Sequence, residues 1–228
     1  MFNESAQFAA AGGTVVQPYL QSPLHSFGLA AKARPQDGSH GVWMNELALL
    51  GYVALRGDAA DPLFRAGVAE ALGAPPPLLP SSFVQTALGL LLWQSPDEWL
   101  LVCARRLLND AIAKLESATG GLHAQVVDNS GGLTQVYLSG ANHLAVLHHV
   151  GVYDFELVTP GRAVSTMCGR ANMLVYRVDA DGVFVVFRRS FADYVWLLLN
   201  KAARPYGIGV QQLPARAAHP VQSLLGGQ

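Results

Sequence analysis

Charge is scarce in this chain. Only 14% of its 228 residues are Asp, Glu, Lys or Arg, while 51% are apolar; an average soluble domain has a charged share of roughly 25%. Charged side chains keep a free-standing surface soluble. The deficit therefore leaves two readings, an Ala- and Leu-rich sequence with an ordinary surface or a surface that a partner covers. The fifteen Lys and Arg form no run and the net charge is −1, so bulk charge attracts neither nucleic acid nor an anionic membrane. Long apolar runs are missing too: none approaches the ~20 residues of a membrane helix. No Lys or Arg precedes Lys32, so the N-terminus lacks the basic segment of a secretory or transit peptide. A soluble, cytoplasmic protein is expected. The two cysteines, Cys103 and Cys168, stand far apart in apolar surroundings and are expected as small buried hydrophobes rather than a disulfide or metal pair.

Catalytic signatures are equally thin. The chain has no G-x-S-x-G elbow, no H-E-x-x-H and no G-x-x-x-x-G-K-[ST] loop. Gly207-Ile208-Gly209 lacks the third glycine of a dinucleotide fingerprint and reads as the entry to a closing strand. His148 and His149 are adjacent, and neighbours on a helix point about 100° apart, so they cannot grip one metal ion; surface or interface histidines are expected. Asp128-Asn129-Ser130 could hold a general base, but equally forms an Asx-type turn. Arg188 and Arg189 sit at a strand end, where alternation sends them to opposite faces and argues against a shared anion clamp. Trp43, Trp93, Trp99 and Trp196 read as core and interface anchors. No catalytic, cofactor-binding or metal-binding residue is expected in this chain.

What the sequence does contain is a patterned stretch from Val183 to Ala202. Its first five residues, Val183 to Phe187, are all apolar and read as a strand covered on both faces. Ser190 and Asp193 offer a capping box. Phe191, Tyr194, Val195, Leu198, Leu199 and Ala202 then follow one helix face. Trp196 and Leu197 lie off that stripe, so the helix is apolar on a second side. That second side, with His148 and His149, is the expected partner surface.

Around this stretch the elements fall into a doubled order. The run 47–56 reads as one strand, and Asp61-Pro62 as the cap and first residue of a helix ending at Gly73. Strands over 87–93 and 99–104, a helix over 106–119 and a strand over 122–127 complete a β-α-β-β-α-β unit. A second unit follows, with strands near 133–138, 162–168, 173–178, 183–187 and 208–211 and helices ending near Val150 and Ala202. Asp179-Ala180-Asp181-Gly182 reads as a hairpin turn with glycine at positive φ. The expected fold is α+β, two consecutive ferredoxin-like halves (41–128 and 129–213) making one body. An extended arm at 1–40, containing Gly12-Gly13, and a tail at 214–228 flank it.

Several stretches also resemble the gamma subunit of heterotetrameric sarcosine oxidase: SPLHSFGL (22–29), LALLGYVALRGDAADPLF (47–64), SPDEWLLV (95–102), VVDNSGGLTQVYLSGANHLAVL (126–147) and FRRSFADYVWLLLNKA (187–202). The fourth also resembles aminomethyltransferase folate-binding domains. The resemblance implies a non-catalytic structural subunit of a flavoenzyme complex that oxidatively demethylates sarcosine to glycine. It places FAD, FMN, NAD, tetrahydrofolate and zinc in the alpha, beta and delta partner subunits. The alternative it implies is a folate- or small-ligand-binding module. The chain departs from the family pattern at 1–21 and 215–228.

Overall fold

The computed structural model describes residues 20–213; Gly12-Gly13, most of the expected N-terminal arm and the expected tail at 214–228 lie outside them. Two antiparallel-rich sheets stack face to face, each with two helices on its outer side. The first sheet has the order β3-β4-β5-β2-β6, from Phe83–Gln85, Gly89–Ser95, Glu98–Cys103, Gly51–Arg56 and Gln125–Asp128. Helices α2 (Pro62–Leu72) and α3 (Leu108–Thr119) cover it. The second sheet has the order β11-β1-β7-β10-β9-β8, from Ile208–Val210, Val42–Leu47, Leu133–Ser139, Gly182–Arg188, Ala171–Tyr176 and Ala163–Cys168. Its outer face carries α4 (His143–Val150) and α5 (Ala192–Ala203). The four layers thus enclose three cores, one under each helix pair and one between the sheets.

Both sheets have the expected ferredoxin-like order, apart from the added edge strand β3 and one larger departure. Residues 47–56 form two strands, β1 and β2, rather than one, and these lie in different sheets. The break falls at Ala48-Leu49-Leu50, where Leu49 adopts φ 57, a left-handed conformation that ends a strand. β1 inserts between β7 and β11, so the first sheet's strands begin at Gly51 and residues 42–47 belong with the second half. No sequence signal reports this, because which sheet a strand joins is a long-range choice.

Local expectations hold where chemistry is local. The Asp61 carboxylate accepts from the Leu63 N–H at 2.8 Å, with Pro62 next and Gly73 closing the helix at φ 81. β10 is buried on both faces from Gly182 to Phe187. Its first residue is a correction: Gly182 does not take a positive φ. It lies in the strand, where a Cβ would come within 2.7 Å of the Tyr137 ring, so space and not turn geometry demands glycine. The Ser190–Asp193 capping box is also absent. A 3-10 turn over Arg189–Phe191 leads into α5 with no side-chain cap.

Residues 20–40 are folded rather than an extended arm. A 3-10 turn, His25–Phe27, precedes the short helix α1 (Leu29–Lys32). Leu24 is buried in the core under α5, and the Phe27 ring lies 6.0 Å from that of Trp196. Arg189 donates to the Gln21 carbonyl at 2.6 Å, and Ser22 donates to the Glu46 carboxylate. Among the described residues, no helix is long and apolar enough to cross a membrane.

Candidate functional site

Helix α5 buries Ala192, Val195, Trp196, Leu199 and Ala203 against its own sheet. Trp196, placed by its sequence position on the partner side, is only 4% exposed, because Phe27 closes over it. Phe191 and Tyr194, expected in the core stripe, are instead 40% and 38% exposed, and Leu197 is 57% exposed. Starting the helix at Ala192, after a 3-10 turn, rotates the stripe from the phase counted from Phe191. The apolar surplus survives, carried by Phe191, Tyr194 and Leu197. Phe191 and Tyr194 meet edge to face at 6.3 Å, and the Tyr194 hydroxyl accepts from the Arg170 N–H at 3.1 Å.

His148 and His149 are both exposed on the last turn of α4, and their rings diverge. His148 packs edge-on against Phe155 at 5.5 Å, while His149 Nε2 lies 2.9 Å from the Tyr206 hydroxyl. His143, at the other end of the helix, is buried. Its Nδ1 is 2.6 Å from the Gly140 carbonyl, so Nδ1 carries the proton; burial pushes the imidazole pKa down. No group of three or more His, Cys, Asp or Glu capable of holding a metal ion occurs among the described residues.

The polar turn after β6 is structural. The Asp128 carboxylate accepts from the Ser130 N–H at 2.9 Å, and the Ser130 hydroxyl accepts from the Tyr52 N–H at 3.0 Å. Asp128 is thereby committed to an Asx-type turn. Arg189 is likewise committed, to Gln21. Both cysteines are buried and unpaired, and burial pushes each thiol up to about 11.

Two buried polar groupings escaped sequence reasoning. Glu46, on the helix side of β1, accepts from Thr134 at 2.7 Å and from Ser22; burial raises its pKa, and these hydrogen bonds oppose the rise only in part. Between the sheets, the Tyr176 hydroxyl donates to Gln135 at 3.1 Å, while the Tyr52 hydroxyl and Gln135 Nε2 have no hydrogen-bond partner among the described residues. A third grouping is a cleft of about 460 Å³ where the inter-sheet layer opens, lined by Gln94, Glu98, Asn129, Met167, Asn172 and Arg188 among others. Six positions from six separate segments converge there, which no local pattern could announce.

The comparisons with known proteins agree on the fold. A chain of heterotetrameric sarcosine oxidase from Corynebacterium sp. U-96, in complex with pyrrole 2-carboxylate, superposes with TM-score 0.74 at 22% identity, covering 85% of this chain and 98% of that one. The glycine cleavage system aminomethyltransferase T from Bartonella henselae superposes with TM-score 0.65 at 15% identity, covering 85% of this chain and 60% of that one. These likenesses establish the doubled α+β architecture. A search of curated protein sequences finds no match. A family model described as sarcosine oxidase, gamma subunit family, matches residues 56–204. That match spans well over half of the sequence, from the end of β2 to the end of α5, and by it the chain belongs to the sarcosine oxidase gamma subunit family.

Proposed function

We propose that this chain is a non-catalytic structural subunit of a heterotetrameric, flavin-dependent sarcosine oxidase that converts sarcosine to glycine by oxidative demethylation. Membership of the gamma subunit family carries this reading. The alpha, beta and delta subunits of the proposed complex hold FAD, FMN, NAD, tetrahydrofolate and zinc. This chain buttresses them through surface that it cannot hide alone. Leu197 and Tyr194 on α5, with Phe191 in the turn before it, supply an exposed apolar row, and His148 and His149 add polar contacts on α4. Trp196 supports the row from beneath. An obligate assembly of this kind buries more than about 2,000 Å² in total.

Co-expression of the tagged chain with the neighbouring oxidase subunits, followed by affinity purification and a visible spectrum, tests the reading. A yellow multi-chain complex is the expected result. A colourless, monodisperse monomer, obtained while the other subunits assemble without it, overturns it.

A further inference from the structure

The inter-sheet layer is closed at one end and open at the other. At the closed end Tyr176 stacks on Phe184 at 4.7 Å and 8°, with Tyr137 against the other side of Phe184. At the open end, strand pairing sets Met167 beside Asn172 and Arg188 beside Leu133. The β9–β10 register, continued one step past Phe187–Met173, brings Asn172 beside Arg188. Alternation assigns this whole row to the inner face, because Phe184, Val186 and Leu174 at the same parity point into the inter-sheet core. Gln94 and Glu98 stand on the facing sheet, and Leu100, Leu174 and Val186 form an apolar floor. The volume of about 460 Å³ is in the range of small-molecule sites, roughly 300–1,000 Å³.

The chemistry of the lining selects a ligand class. Arg188 makes no ion pair among the described residues, whereas Arg34 and Arg56 both do. Glu98, on the opposite wall, pairs with Arg56 at 3.5 Å, which leaves Arg188 as the lining cation with no ion pair among the described residues. The side-chain amides of Gln94, Asn129 and Asn172, each a double donor and an acceptor, are satisfied by no side chain among the described residues. A guanidinium binds a carboxylate through two parallel hydrogen bonds. An amide one or two bonds away meets the Asn and Gln side chains, and an apolar body rests on the leucine floor.

We propose that this cleft binds a small amide-bearing carboxylate of the N-acyl amino acid class, with Arg188 taking the carboxylate and Asn172 the amide. The inference is independent of the assembly reading, and either can fail alone. Hippurate is the probe, titrated calorimetrically into the full chain in the assembly in which it is purified. Saturable binding is expected, with hippuramide, which lacks the carboxylate, weaker by about tenfold or more. Arg188→Gln is expected to weaken hippurate by about the same factor, and Asn172→Leu by about fivefold. Both positions are exposed, so neither variant threatens folding. No saturable heat from hippurate or N-acetylleucine up to about 10 mM overturns the proposal. So does hippurate binding that Arg188→Gln leaves unchanged, which would place the site elsewhere.

Discussion

Trp196 and Leu197 are neighbours in sequence and lie in opposite environments, at 4% and 57% exposure. Trp196→Ala removes a large side chain from the core beneath α5, so chemical denaturation should show a loss of about 3–5 kcal/mol. Leu197→Ala should change the chain's own stability by no more than about 0.5 kcal/mol, while weakening co-purification with partner subunits. Glu46 makes a pH prediction. Burial raises its folded-state pKa, so between the ordinary glutamate value and the raised one the folded chain binds more protons than the unfolded chain. Stability must then fall as pH rises through that window. Melting temperature measured across it should decline, and Glu46→Gln, which keeps an acceptor for Thr134, should flatten the decline. The sequence shows none of this: Glu46 lies in a polar-looking Asn-Glu pair, and its hydrogen-bond partners Ser22 and Thr134 are 24 and 88 residues away.

At the scale of the elements, ends written in local chemistry were legible and ends set by packing were not. Asp61 caps α2 as its sequence implies, and Asp61→Ala should cost about 1 kcal/mol by denaturant midpoint. The start of α5 was misplaced because the Ser190 hydroxyl caps nothing and a 3-10 turn intervenes. Gly140 joins β7 to α4 at φ 94, with its Cβ position 2.6 Å from the Gly41 carbonyl oxygen. Gly140→Ala combines left-handed strain with a backbone clash. It should destabilise by more than the roughly 1 kcal/mol that a strain-free Gly→Ala exchange gains. The Ser-Gly pair before the helix signals a turn; the approach of Gly41 that makes the glycine indispensable is a contact between distant strands.

For the whole molecule, the decisive feature is the four-layer stack. Strands buried on both faces explain the unbroken apolar runs at 99–103 and 183–187 and much of the 51% apolar content. Part of the charge deficit is therefore internal and needs no partner. The exposed row at α5 is one part of the remainder, with Leu63, Leu79 and Val152 exposed elsewhere. Expressed without partners, the chain should self-associate through that row, and replacing Leu197 with Asp should shift it toward monomer in sedimentation experiments. An unchanged oligomer distribution would place the sticky surface elsewhere.

Periodicity, caps and turn residues were enough to specify the doubled β-α-β-β-α-β order, because helix and strand patterns depend on neighbours two to four positions away. Quoted stretches such as 126–147 and 187–202 were enough for the family resemblance. Tertiary structure alone decided that β1 crosses into the second sheet, that Phe27 seals Trp196 inside, and that Arg188, Asn172 and Met167 share one wall of a cleft. Each of those depends on residues far apart in the chain being brought together, and which strands pair and which distant side chain covers which leave no mark on the local sequence.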